Sequence, residues 1–216
     1  MSRTKDYHYI LFDWDGNLAK TLDLWLEATK IELAKLDVHP TDAEIGASFG
    51  AFSKFFADWG VADPEGTITR IDLTVRTMLP TVELYPDTLE MLDALYNRGK
   101  HLSLITTSWR ATLTIPLKQY HLEHFFEAIV CGDDVTHHKP HPEPLEKALT
   151  ALGGTKDKAL MIGDSDKDIG AANNFGIDSV LFHSPEHQKF YQTDRLHSLN
   201  PTYIVDDLRQ VLDIVR

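Results

Sequence analysis

The chain is poor in several things at once, and each shortage excludes a class of function. It has a single cysteine, Cys131, so no intramolecular disulfide can form. That usage suits a reducing compartment, and with no base beside it in sequence Cys131 reads as a core residue. No apolar run approaches the roughly 20 residues that span a bilayer. Met1 to His8 is polar and lacks a signal peptide's apolar stretch, which makes a cytoplasmic protein the expectation. Basic residues are scarce, with 21 Lys and Arg against 33 Asp and Glu, and the formal net charge of -12 argues against nucleic acid or an anionic membrane as partner. Internal repeats and low-complexity segments are missing too.

What is present is an ordinary globular composition, 43% hydrophobic and 25% charged over 216 residues. It is punctuated early by an unusual stretch, Tyr9-Ile10-Leu11-Phe12-Asp13-Trp14-Asp15-Gly16-Asn17. A strand-like apolar run ends in two carboxylates two positions apart. On an extended strand such residues share a side, so Asp13 and Asp15 aim together beyond the strand's carboxyl end. Like charges held so close raise the pKa of one group unless a cation or a proton compensates.

Downstream, the periodicity predicts a helix over Leu22 to Leu36 with Thr21 as N-cap, and a capping box of Thr41 with Glu44. A glycine-punctuated turn follows at Ile45 to Gly50, then helices over Ala51 to Trp59 and Pro64 to Leu79. From there strands and helices alternate. Strands are expected at His101–Ile105, Ala128–Cys131, Ala159–Gly163, Ser179–Phe182 and Tyr203–Val205. Helices are expected at Pro86–Arg98, Thr112–Tyr120 (with an early break or kink at Pro116), Pro142–Leu152, Asp166–Phe175 and Leu208–Val215. His183 to Pro201 is polar and without clear period, and reads as an irregular surface connection. The fold class is therefore α/β: a Rossmann-like parallel sheet core with a helical cap inserted after the first strand. The core takes residues 1–18 and 83–216, and the cap 19–82.

In a parallel sheet all strand carboxyl ends lie along one edge, where ligands bind. Four segments converge there: Asp13 with Asp15, Thr106-Thr107-Ser108, Lys139, and Asp164 with Asp168. Each alone has an ordinary explanation. Thr106 and Thr107 are common strand or cap residues, Lys139 is a loop charge, and Asp164 and Asp168 charge the first turn of a helix. Asp166, Asp133 and Asp134 keep such readings. Together the four segments suit phosphoryl transfer through an aspartyl phosphate. One carboxylate attacks phosphorus, a second moves the proton, and hydroxyls, amides and a lysine hold the phosphoryl oxygens. Hard carboxylate oxygens hold Mg²⁺, which also relieves the clustered charge.

These segments make the chain recognisable. It resembles the haloacid dehalogenase-like hydrolase superfamily, in particular its phosphoglycolate phosphatase-like members with a helical cap after the first motif. The resemblance rests on Phe12-Asp13-Trp14-Asp15-Gly16, Ile45-Gly46, Leu84-Tyr85-Pro86, Leu104-Ile105-Thr106, Gly132-Asp133-Asp134-Val135, Lys139-Pro140-His141-Pro142 and Gly163-Asp164-Ser165-x-x-Asp168. It implies Asp13 as nucleophile, Asp15 as general acid and base, and Lys139 as the residue orienting nucleophile and phosphate. Thr106, Thr107 and Gly16 would bind substrate. Mg²⁺ would be held by Asp13, Asp15 (through its backbone carbonyl) and Asp164, with Asp168 in support. An acid at position 15 favours phosphate esters over the dehalogenase and phosphonatase branches. The implied substrate is a small phosphorylated metabolite such as phosphoglycolate.

A phosphomutase of the β-phosphoglucomutase kind would carry the same motifs, and a silent binding protein could keep the fold, although the intact carboxylates and lysine count against that. The motifs do not decide oligomeric state. Four positions depart from the family pattern: Asn17, Lys20, Asp87 in place of a glycine, and Thr107 in place of an asparagine. His137, His138 and His141 lack a partner at zinc spacing and read as loop histidines. Trp109 and Arg110 are candidates for lining the site, and the cap aromatics, Trp25, Phe49, Phe52, Phe55, Phe56 and Trp59, are mostly core.

Overall fold

In the computed structural model, which describes residues 5–216, one six-stranded, wholly parallel sheet carries the order β3-β2-β1-β4-β5-β6. The first four residues of the polar amino terminus lie outside the described residues. The strands are β1 Tyr9–Phe12, β2 His101–Ile105, β3 Ala128–Val130, β4 Ala159–Gly163, β5 Asp178–Phe182 and β6 Tyr203–Val205. Central strands read as continuous apolar runs because helices cover both faces: Ile10, Leu11, Phe12, Leu160, Met161 and Ile162 are all fully buried. Among the described residues no helix is long and apolar enough to cross a membrane.

Between β1 and the rest of the sheet stand α1 Leu22–Ala34, α2 Asp42–Ser48, α3 Phe52–Asp58 and α4 Pro64–Met78. The core helices are α5 Thr88–Asn97, α6 Arg110–Gln119, α7 Glu143–Ala151, α8 Asp166–Phe175, α9 Thr193–Ser198 and α10 Val211–Ile214. The capping box at Thr41 and Glu44 forms as expected.

Several local expectations fail for identifiable reasons. Ile45 to Ser48 is helical, the continuation of α2; the turn is confined to Phe49-Gly50-Ala51, where Gly50 takes φ +73°. Thr21 is not a side-chain cap for α1, because its hydroxyl is drawn to Asp15 instead. Pro116 sits inside α6 without ending it, its ring buried. Asp87, where the family pattern has glycine, takes the left-handed conformation at φ +65° that a glycine would favour, and its carboxylate lies 3.3 Å from Arg209.

The largest correction concerns His183 to Pro201. Far from irregular, it makes a 3₁₀ turn over Pro185–Lys189, then α9, and buries His187, Phe190 and Leu196. Phe190 joins Leu22, Leu26 and Ile45 of the cap in one apolar cluster. Lys20 bonds Glu186 at 2.9 Å, and Lys189 pairs with Asp23. The stretch is a strap from the core across the cap, so Lys20 is occupied by the strap rather than by the crevice. Under it, His187 is fully buried against Tyr85 and Phe182. Ser184 N–H donates to Nδ1 at 3.2 Å, so Nε2 carries the hydrogen that faces Tyr85 Oη at 2.8 Å. Burial first, and His183 second, pushes the imidazole down to about 4.

A histidine depressed on folding contributes stability above its unfolded pKa of about 6.5 and loses it as pH falls toward 4. The depression corresponds to about 3 kcal/mol. In urea titrations at pH 7 and pH 4, His187→Gln should flatten the wild-type loss of stability by that order; an unchanged slope would remove His187 as its source.

Candidate active site

Sheet register brings the distant motifs level. Phe12 pairs with Leu104 on one side and with Ile162 on the other, so Asp13, Ile105 and Gly163 stand abreast, with Thr106 and Asp164 one residue beyond. Asp13 N–H still bonds Ile162 C=O at 2.9 Å, which fixes the nucleophile candidate's backbone to the sheet. Asn17, buried in the turn that follows, donates from Nδ2 to the Asp13 carbonyl at 3.1 Å. The turn between them needs a glycine: Gly16 takes φ +78°, and a Cβ there would lie 2.3 Å from an oxygen of Asp164. Gly16 thus makes room for the Asp164 carboxylate.

Lys139 arrives from the loop after β3 and is buried at the centre. Its ammonium lies 2.7 Å from Asp13 Oδ1, 2.6 Å from Asp168 Oδ1 and 3.2 Å from the Ile105 carbonyl. All three hydrogens have acceptors. Burial works against its charge, but Asp13 and then Asp168 outweigh it and hold the ammonium above the ordinary lysine range. Asp168 spends its other oxygen on Ser165, from N–H at 3.1 Å and from Oγ at 2.5 Å, closing a capping box at the start of α8. It therefore serves both as a helix-terminal acid and as the support for Lys139. Gly163 permits that approach, since a Cβ there would meet Asp168 at 2.4 Å.

Asp13, Asp164 and Asp168, all buried, bring carboxylate oxygens within 4.8 Å of one another. Neither oxygen of Asp164 meets a donor in good hydrogen-bond geometry, and the neighbouring Tyr191 hydroxyl, the one group pulling toward its charged form besides Lys139, is outweighed. Burial, then Asp168, then Asp13, pushes Asp164 well above the carboxylate range. Burial, then Asp168, pushes Asp13 up to about 8 against the pull of Lys139, with Asp15 a lesser contributor. The repulsion expected between Asp13 and Asp15 is therefore secondary to burial and to Asp168. The two buried oxygens of Asp164, with the carboxylates of Asp13 and Asp168 alongside, fit a small divalent cation such as Mg²⁺.

Asp15 is turned to different partners. Oδ1 accepts from Thr21 Oγ1 at 2.7 Å and Trp25 Nε1 at 2.8 Å; Oδ2 accepts from Thr106 Oγ1 at 2.9 Å and Ser108 Oγ at 2.7 Å. Asp13 and Asp15 line the same cavity, but the side chain of Asp15 is not among the clustered metal-site carboxylates. The Thr106 hydroxyl is engaged by Asp15 and by Ser108 N–H at 3.0 Å, while Thr107 and Ser108 line the cavity. In the sequence, the signals for Ser108 and Trp25 as partners of the acid are a hydroxyl two residues past Thr106 and a tryptophan one helical turn past Thr21, neither of which identifies an acceptor.

The cavity has a volume of 380 Å³ and lies between the strand ends and the cap. Trp109 lines it; Arg110 instead pairs with Asp134 and donates to the Ile129 carbonyl. Asp133 and Asp134 are thus loop acids that fasten α6 to the loop after β3. Cys131 is buried, its thiol pushed up to about 12 chiefly by burial, which fits a core residue. His137 and His141 stack at 4.5 Å beside Glu143. Glu143 N–H donates to His141 Nδ1 at 3.1 Å, so Nε2 of that ring carries the hydrogen and offers a cation no lone pair.

Comparison with known proteins gives the family of the chain. The family model for haloacid dehalogenase-like hydrolases matches residues 10–182. Pyrophosphatase PpaX of Halalkalibacterium halodurans is 36% identical over 134 residues, 62% of this chain and 60% of that protein. Pyrophosphatase PpaX of Oceanobacillus iheyensis is 30% identical over 211 residues, 95% of each chain. The fold superposes on a predicted phosphoglycolate phosphatase from Haemophilus somnus with a TM-score of 0.81 at 22% identity, covering 96% of this chain and 97% of the other. With its catalytic-edge motifs abreast on one parallel sheet and the family match running from β1 to β5, the chain belongs to the haloacid dehalogenase-like hydrolases.

Proposed function

We propose that this protein is a Mg²⁺-dependent phosphatase that cleaves a small phosphorylated metabolite through an aspartyl phosphate on Asp13. The observation that carries the reading is the buried Lys139, which takes one oxygen of Asp13 and is itself anchored by Asp168. A carboxylate so held cannot rotate away, which is what a nucleophile needs before an in-line attack. Mg²⁺ would be held by Asp13, Asp164 and the backbone carbonyl of Asp15, and when bound would neutralise charge on the phosphoryl oxygens.

The chain's own residues do the rest. The Asp13 carboxylate forms a bond to phosphorus as the ester P–O bond breaks, and Asp15 gives a proton to the leaving oxygen. Asp15 then takes a proton from the water that attacks the aspartyl phosphate, releasing inorganic phosphate and restoring Asp13. The backbone at Thr107, which lines the cavity, would hold phosphoryl oxygens, while the Ser108 hydroxyl spends its hydrogen on Asp15. Thr106 acts at one remove, positioning Asp15. For Asp15 to carry its proton, one of its three hydroxyl neighbours must turn and accept; the Trp25 indole can only donate. Trp25 is therefore a positioning residue that ties cap helix α1 to the acid.

Phosphate release measured across a metabolite panel, with Mg²⁺ or with chelator, tests this reading. Asp13→Asn should lower kcat by at least roughly a thousandfold. Chelator-resistant turnover or full activity of that variant would overturn the mechanism, and sugar-phosphate isomerisation without net phosphate release would make the protein a mutase. Trp25→Phe keeps the ring and removes one hydrogen bond to a charged group, of about 1.5–3 kcal/mol. On a substrate without a ring, its kcat should fall between roughly tenfold and a hundredfold with KM little changed.

Without metal, Asp13 takes up a proton on folding, so its part of stability is present at pH 4 and lost as pH rises toward 8, and Asp164 acts in the same direction. Millimolar Mg²⁺ should consequently raise the melting temperature more at pH 8 than at pH 5.5; an equal shift at both would count against a site built on these carboxylates.

A further inference from the structure

The cavity has two unlike halves. Its floor holds the charged groups at the strand ends. Its upper wall, where a leaving group would sit, is apolar: Leu22 and Trp25 from α1, Phe49 before α3, Phe52 from α3, Ile68 from α4, and Trp109 from the core. The aromatic part of that wall is already packed. Phe52 stands 6.3 Å from Trp25, 6.1 Å from Phe49 edge-on, and 5.2 Å from the fully buried Phe56. Trp25 is pinned further by its bond to Asp15. A wall of this kind binds without reorganising and so favours an apolar ring that can lie against it.

The charges on and around that wall point the same way. The relatives' names offer two leaving groups, a second phosphate and glycolate, and each would bring a further anion. Among the described residues the lysines lining the cavity are Lys54, Lys139 and Lys167. Lys139 is consumed by Asp13 and Asp168, and Lys167 lies 2.8 Å from Asp166. Lys54, on α3, lines the cavity but is exposed, so solvent screens its charge. The remaining charged cap residue on the wall is Asp72, buried, fixed by Arg76 at 2.6 Å and bonded by Thr112. Arg76 balances that carboxylate, so among the described residues no buried, unpaired lysine or arginine lines the cavity to compensate a second anion, whereas an uncharged group needs none. The volume also exceeds what a two-carbon acid needs, falling in the range of about 300–1,000 Å³ typical of sites for larger organic ligands.

We infer that the substrate is a phosphate monoester whose leaving group is uncharged and carries an apolar ring, held against Trp25, Phe52 and Ile68, rather than pyrophosphate or a phosphorylated short acid. This rests on the phosphatase reading above and narrows it to a substrate class.

The test compares kcat/KM of the wild-type protein with Mg²⁺ for five compounds: benzyl phosphate, cyclohexylmethyl phosphate, ethyl phosphate, pyrophosphate and phosphoglycolate. Alkyl esters keep the leaving groups similar in acidity, so that ring binding rather than reactivity is read. Both ring esters should exceed ethyl phosphate by roughly tenfold to a hundredfold, the range expected for burying a ring-sized apolar group, and should exceed pyrophosphate and phosphoglycolate by at least as much. Pyrophosphate or phosphoglycolate matching the ring esters would overturn the inference and leave the phosphatase reading standing. Phosphate release from none of the five would overturn both. Phe52→Ala supplies a second readout: the benzyl-to-ethyl ratio should narrow at least roughly fivefold, whereas an equal fall for both esters would reduce Phe52 to a packing residue.

Discussion

Three carboxylates and one ammonium, nearly all removed from water, set the terms for everything at the sheet edge. Lys139 cannot be buried without anions, and Asp13 and Asp168 cannot be buried together without a cation. Each oxygen the lysine takes is therefore held in place by the cost of releasing it. One lysine does not balance three aspartates, and the surplus falls on Asp164, which is buried with no ion-pair partner among the described residues. A folded chain that keeps such a group is either protonated there or completed by a divalent cation. The site is thus held together by the same imbalance that suits it to a divalent cation.

The cap is coupled to that centre by two separate connections. One is polar: Thr21 and Trp25, on the first turns after the chain leaves the core, bond the Asp15 carboxylate from above while Thr106 and Ser108 bond it from below. The other is apolar, where Phe190 of the strap packs among Leu22, Leu26 and Ile45. Cap position and acid orientation consequently change together. Under the proposed function, this arrangement would divide labour within the cavity, with phosphoryl chemistry on core residues and leaving-group recognition on the cap aromatics.

Asn17 and Asp87, two departures from the family pattern, have local explanations. The Asn17 amide holds the Asp13 carbonyl through the turn, and Asp87 adopts the left-handed geometry that glycine would otherwise supply. Lys20 explains itself only through the strap. A polar segment with no period gave no reason to expect a buried histidine and phenylalanine, because their partners, Tyr85 and the first cap helix, are more than a hundred residues away in sequence.

The alternating pattern of apolar runs and helix signals determined the α/β class, and the strand-end position of each motif determined that Asp13, Thr106, Lys139 and Asp164 would share an edge. Both follow from local periodicity and from the single direction of a parallel sheet. Tertiary structure alone decided how those groups pair. Sequence spacing placed Asp13 and Asp15 on one side of a strand, but the turn at Gly16 sends them to different partners, one to Lys139 and one to Trp25. Side-chain pairing depends on which donors reach a carboxylate across elements brought together only by folding, and the sheet register and cap packing supply those distances.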